Sequence, residues 1–166
     1  MGSEHTFDDV LAANARYADG FRLAGLSGRA GRGLAVVTCI DSRIEPLQML
    51  GLEPGDAKIL RNPGGRVTDD AFATLVLTRH LLGVERIMVV AHTNCRMTAA
   101  DAEELHAAIE AAGGPDTREL GFLVSPDPAA AVREDVERLL ASPLLDGVEA
   151  GGFVYDVETG LLDRIC

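Results

Sequence analysis

Two stretches, GLAVVTC at 33–39 and RIMVVAH at 86–92, constrain this chain more than anything else in it. Both are rich in β-branched residues and stay apolar at successive positions instead of alternating. A strand covered on one face alternates apolar with polar, whereas a continuous run belongs to a strand buried on both faces, as in a parallel sheet. The way the two runs end is unusual. The first closes on Cys39, with Asp41 and Arg43 following at alternate positions; the second closes on His92, with Cys95 three residues later.

The rest of the chain supplies the crossovers that a parallel sheet needs. Phe7 to Phe21 has the apolar spacing of an amphipathic helix of modest burial, with acids near its start. Ala24 to Gly33, AGLSGRAGRG, reads as a flexible glycine-rich connection. It precedes a strand, opens no helix and lacks a Gly-Lys-Ser/Thr ending, so it is no phosphate loop. EPLQML allows a short helix, LEPGD a turn, and Ala57 to Arg61 a further strand that ends in NPGGRVTDD. Helices are expected over Thr68–Leu82, capped by Thr68, Asp69 or Asp70, over Thr98–Ala112, and over Pro128–Ala141. The final GGFVYDVETGLLDRI reads as two short strands around Glu158-Thr159-Gly160. The fold class is therefore α/β: a mostly parallel sheet of four strands plus a C-terminal antiparallel strand, with helices on both faces. In such sheets ligands sit at the carboxyl ends of strands where the strand order switches, and Cys39 and His92 both stand at carboxyl ends.

Composition narrows the function. The 166 residues include 15 Lys and Arg against 26 Asp and Glu, a net charge of −11, with no dense basic cluster; nucleic acid and anionic membrane surfaces are poor partners. No apolar run reaches the roughly 20 residues that span a bilayer. Three widely spaced cysteines argue against a disulfide framework and for a reducing, cytoplasmic location, where metal binding or catalysis is the better use of a thiol.

Taken singly, Cys39 reads as a small core hydrophobe and His92 as a hydrogen-bonded structural histidine. Together, His-x-x-Cys at one strand end and Cys39 at a neighbouring one give two thiolates and an imidazole. Cys₂His is a known catalytic zinc set with a fourth position open. Thiolates disfavour magnesium and calcium and leave zinc, copper, iron and cobalt open. Asp41 and Arg43 suit a fixed ion pair. Cys166 reads as a core thiol or a frayed end.

CIDSR followed by HTNC resembles the signature of the β-class carbonic anhydrases, Cys-x-Asp-x-Arg and then His-x-x-Cys. LEPGDAKILRNPGGRVTDD is similar to that family's second strand and Arg-Asn-x-Gly loop, and GFVYDVETGLL to its last hairpin, so alignable features run from about Ala12 to Leu162. The chain looks like the small bacterial members. The resemblance implies a single domain over 1–166, with 1–33 packing on a partner subunit in a homodimer or dimer of dimers. It implies one Zn²⁺ per chain held by Cys39, His92 and Cys95, with Asp41 and Arg43 as the dyad beside it. The implied activity is that of a zinc lyase: reversible hydration of carbon dioxide to bicarbonate and a proton by zinc-bound hydroxide. Its rate would fall below neutral pH as Asp41 competes for the metal.

Arg96 departs from the family, which usually has glycine there. It either extends to solvent or changes access to the metal and attracts an anion such as bicarbonate. Two other activities share the ligand set: hydrolysis of carbonyl sulfide or carbon disulfide, and weakly active or non-catalytic zinc or anion binding. Asn62 and Gly64 read as turn-shaping residues near the site, and His5, His80 and His106 as surface or helix residues.

Overall fold

The computed structural model describes residues 6–99 and 101–166; His5 lies outside them. Among the described residues ten regular elements follow one another: α1 (Asp8–Asp19), β1 (Leu34–Cys39), α2 (Pro46–Met49), β2 (Ala57–Asn62), α3 (Asp69–Leu81), β3 (Arg86–His92), α4 (Ala102–Ala111), α5 (Pro128–Leu140), β4 (Glu149–Tyr155) and β5 (Leu162–Arg164). Short 3-10 turns cover Pro63–Gly65 and Pro143–Leu145.

The strands form one sheet in the order β2-β1-β3-β4-β5. The β1–β2, β1–β3 and β3–β4 pairs are parallel, and β4–β5 is antiparallel. This is the expected architecture. The chain leaves β1 to one side to form β2, then returns to the other side of β1 to form β3. The strand order therefore reverses at β1, and a crevice opens at the carboxyl ends of β1 and β3.

All six residues of β1 are buried, as its unbroken apolar run requires. Ala35 and Val37 pack with Ile87 and Val89 of β3, Leu75 of α3, and Val132, Val136 and Leu139 of α5. Leu34 and Val36 face the other way, against Leu47 and Met49 around the single turn of α2 and against Leu52, Ile59 and Phe153. Helices thus lie on both faces, unequally.

Helix ends follow local chemistry. Thr68 accepts a bond from the Ala71 amide, and Asp127 accepts from Ala129 and Ala130 with Pro128 in the first turn. The fourth helix is shorter than the expected Thr98–Ala112. It begins after the Asp101 cap, because the segment leaving Cys95 turns first, Thr98 donating both its amide and its hydroxyl to the Cys95 carbonyl. The expected modest burial of the first helix is not found. No residue of α1 is buried, and Phe7, Val10, Leu11 and Tyr17 are all exposed, because none of the described residues covers its apolar positions. The glycine-rich segment is tied down at its end: Ala30, Gly31 and Arg32 amides donate to Leu82, Gly55 and Asp56 carbonyls.

Two glycines allow close approaches, one beneath α5 and one at the crevice. A Cβ on Gly152 in β4 would meet Val132 Cγ1 of α5 at 2.3 Å. Gly65 has φ +67°, and a Cβ there would lie 2.9 Å from the Thr38 carbonyl carbon, 2.9 Å from the Val90 oxygen and 3.0 Å from the Cys39 amide. The turn after β2 can therefore lie across the ends of β1 and β3 only without a side chain at 65. Gly65→Ala should destabilise the chain by about 2–4 kcal/mol, from a strained left-handed backbone plus a backbone clash. An unchanged urea midpoint would show that the turn is free to shift.

Candidate metal centre

Cys39 ends β1 and His92 ends β3, and Cys95 follows after a turn through Asn94, whose φ of +53° reverses the chain. All three side chains are buried, and their ligand atoms lie within 4.8 Å of one another. The two sulfurs are 4.0 Å apart, with no disulfide between them. A disulfide needs about 2.05 Å. Two sulfurs on one tetrahedral zinc, at about 2.3 Å each from the metal, stand about 3.8 Å apart.

The histidine is prepared for the same role. Its Nδ1 lies 2.8 Å from the Thr93 carbonyl, which can only accept, so the proton sits on Nδ1 and the lone pair on Nε2. Nε2 is the one buried side-chain nitrogen or oxygen among the described residues with no hydrogen-bond partner. A buried, partnerless lone pair beside two thiols can serve as the donor set of a metal site, and these atoms fit zinc. Burial lowers the His92 pKa, opposed in part by the bond to Thr93, which favours the neutral imidazole that ligates. Burial also pushes the Cys95 thiol up to about 11, although the Met97 amide that donates to its sulfur acts against this.

Asp41 and Arg43 form the expected pair. Arg43 Nε and Nη2 donate to Oδ1 and Oδ2 of Asp41 at 2.9 and 2.7 Å, and the Arg43 amide adds a third bond at 2.9 Å. These bonds to Arg43 hold the Asp41 carboxyl well below the usual carboxylate range. Arg43 Nη2 also reaches the Asn94 carbonyl, at 3.0 Å, so one guanidinium links the loops after β1 and β3. Asp41 Oδ2 stands 3.9 Å from His92 Nε2.

Beyond the thiols opens a cleft of about 820 Å³. Asp41, Arg43 and Arg96 contribute its polar lining, and Leu105, Ile109 and Phe122 an apolar wall. Arg96 is exposed on this cleft. Gly64 does more than shape its turn: its amide donates to Cys39 Sγ at 3.4 Å. Asn62 braces the same turn by exchanging two bonds with the Arg66 backbone. His80 sits on α3 with Nε2 against the Leu144 carbonyl. His106 is a buried helix residue, bonded to Thr117 and stacked on Phe122. Cys166 is exposed at the end of the chain, so it is no core thiol.

Two arginines escaped the sequence reading. Arg61, at the end of β2, donates to the Cys39 and Asp41 carbonyls and fixes the loop that carries the dyad. Arg66 is buried and paired with Asp135 of α5. The signal for that pair was present: Asp135 interrupts the apolar stripe Ala131, Val132, Val136, Leu139, and a carboxylate on a core-facing stripe calls for a buried partner.

A family model described as carbonic anhydrase matches residues 34–114. β-Carbonic anhydrase 1 of Mycobacterium tuberculosis is 34% identical over 161 residues, covering 95% of this chain and 96% of that protein. A carbon disulfide hydrolase of an Acidianus species is 47% identical over 74 residues, 45% of this chain and 36% of its own length. Among solved structures, a carbonic anhydrase from Streptococcus mutans superposes with a TM-score of 0.88 at 36% identity, covering all of both chains. β-Carbonic anhydrases use zinc, and Cys39, His92 and Cys95 form a group that can hold it. With the whole chain aligned to such enzymes, it belongs to the β-carbonic anhydrase family.

Proposed function

We propose that the chain catalyses zinc-dependent, reversible hydration of carbon dioxide to bicarbonate and a proton, with Cys39, His92 and Cys95 as ligands and Asp41 and Arg43 as the catalytic dyad. The observation that carries this reading is the unpartnered Nε2 of His92, grouped with two thiols and set 3.9 Å from the Asp41 carboxylate. When bound there, zinc supplies a Lewis acid that makes water nucleophilic near neutral pH. Asp41 stays anionic because Arg43 binds both of its oxygens. Its Oδ2 would accept a hydrogen bond from the reacting water and so orient a lone pair toward the substrate carbon, a role that its distance of 3.9 Å from His92 Nε2 supports. The apolar wall of Leu105, Ile109 and Phe122 suits a small uncharged substrate, and Arg43 and Arg96 give the anionic product a cationic route out of the cleft.

The same apolar wall and the local likeness to a carbon disulfide hydrolase favour one second reading, hydrolysis of carbon disulfide or carbonyl sulfide with release of hydrogen sulfide. Stopped-flow hydration of carbon dioxide by the zinc-loaded protein at about pH 8.5 decides between them. Rapid, zinc-dependent hydration that falls about 10²-fold or more in Asp41→Asn is expected. No hydration above background, with hydrogen sulfide released from carbon disulfide, would move the assignment to the second reading.

Loading should be coupled to protons. With the Cys95 thiol pushed up to about 11, it carries its proton at neutral pH and must lose it to ligate. Zinc uptake at pH 7.5 is expected to release at least about one proton per chain. Calorimetry in buffers of different ionisation enthalpy reads this number, and Cys95→Ala should abolish stoichiometric uptake. Binding with no proton release would remove Cys95 from the ligand set.

We also assign a single domain, a cytoplasmic location, on the strength of three free cysteines, and a homodimer or dimer of dimers. The exposed apolar residues of α1, together with Phe21 and Leu26 after it, support a partner subunit as their cover. No helix among the described residues is long and apolar enough to cross a membrane. Sedimentation at micromolar concentration should give at least a dimer mass, and a monomer would refute the assignment.

A further inference from the structure

Each candidate ligand sulfur accepts one backbone hydrogen bond, from Gly64 to Cys39 and from Met97 to Cys95, both at 3.4 Å. The two donors lie on different loops, one after β2 and one after β3, and both loops converge on Arg66. On the first, Asn62 Nδ2 donates to the Arg66 carbonyl at 2.7 Å, and the Arg66 amide donates to Asn62 Oδ1 at 2.8 Å, closing the turn that holds Gly64. On the second, Arg66 Nη1 donates to Ser125 Oγ at 3.0 Å, and the Ser125 amide donates to the Met97 carbonyl at 2.7 Å. The guanidinium itself is fixed from α5: Nε and Nη2 bond Asp135 at 2.7 and 3.2 Å, while the Val67 amide donates to the same carboxylate at 2.9 Å. Arg66, Ser125 and Asp135 are all buried. Gly64, Arg66, His92, Cys95, Met97 and Ser125 wall one void of about 10 Å³ beside Cys95 and His92, so the network abuts two of the three candidate ligands directly.

We propose that the Arg66–Asp135 pair is a positioning clamp that holds both N–H···S hydrogen bonds, and through them sets how strongly Cys39 and Cys95 donate to the metal. This rests on the reading that those two cysteines are ligands. An N–H bond to a ligand sulfur holds it in place for the metal, so that its loss lowers affinity, and it also withdraws charge from the sulfur, which leaves the bound metal a stronger Lewis acid. A two-thiolate site needs such withdrawal, because its ligands already neutralise a dication. Neither Arg66 nor Asp135 needs to touch substrate.

The clamp predicts an asymmetry. Ser125→Ala removes only the Arg66 Nη1 bond that ties the Met97 arm to the guanidinium, leaving the Ser125 amide on the Met97 carbonyl, whereas Asp135→Asn weakens both the hold on the guanidinium and, through the Val67 amide, the hold on the turn that carries Gly64. The test uses full-length protein loaded with Co²⁺ or Zn²⁺, with the parent and three variants: Ser125→Ala, Asp135→Asn and, as a control, Asp127→Ala. The control removes the cap of α5 and lowers stability without reaching either sulfur. Expected for Ser125→Ala is faster amide exchange at Met97 with Gly64 unchanged, a shifted sulfur-to-cobalt charge-transfer band, and zinc affinity lower by about tenfold in chelator competition. Asp135→Asn should speed exchange at both amides and lower affinity further, towards about 100-fold. Should it fail to fold, Ser125→Ala still decides. Parent-like band, affinity and Met97 exchange in Ser125→Ala, or an equal band shift in Asp127→Ala, would overturn the clamp and leave the pair a structural brace. A parent that takes up no metal would instead overturn the ligand assignment.

Discussion

The reversal of strand order at β1 is the constraint on which the rest of this structure depends. A parallel strand cannot be followed by its neighbour without a crossover, and here successive crossovers run to opposite sides of β1. The loops leaving β1 and β3 therefore diverge and leave a crevice at the carboxyl ends of these strands, backed by the turn after β2 at Gly65. Cys39 and His92 occupy the last positions of those two strands. The candidate metal centre is thus a consequence of topology first and of side chains second.

What the topology leaves open, arginines close. Arg61 ties the end of β2 to the Cys39 and Asp41 carbonyls, Arg43 ties Asp41 to the Asn94 carbonyl, and Arg66 joins the turn after β2 to α5. Each guanidinium offers several donors in a rigid fork, so one side chain satisfies carbonyls or carboxylates from two segments at once. A lysine at any of these positions would supply charge without the fork. The burial of Arg66 with Asp135 has a cost in desolvation that a pair of apolar residues would avoid, which points to a role in placement and not in stability alone.

Much of this was legible in the sequence. The strand ends, the Cys-x-Asp-x-Arg and His-x-x-Cys spacings, and the order of helices and strands all rest on short-range pattern, and the sheet follows them. The start of α4 was not legible, because Thr98 turns back onto the Cys95 carbonyl, and alanine-rich composition does not show a competing turn. Nor was the depth of α1: its apolar positions have the right period, but period does not say what lies opposite. The contribution of Gly64 was read as backbone geometry, since a glycine amide has no identity in a sequence until a sulfur is found 3.4 Å from it.

The division between the two sources is physical. Local sequence determined what depends on neighbours along the chain: which runs are buried strands, where helices are capped, which residue types can hold a soft metal, and that Asp41 and Arg43 can pair across one residue. Tertiary structure alone decided what depends on separation in space. It set the 4.0 Å between two sulfurs 56 positions apart, left His92 Nε2 without a partner, and brought Asp135 against Arg66 from 69 positions away. Those distances are fixed by how α5 and the turn at Gly65 pack on the sheet, and close packing is a property of surfaces that meet only after the chain has folded.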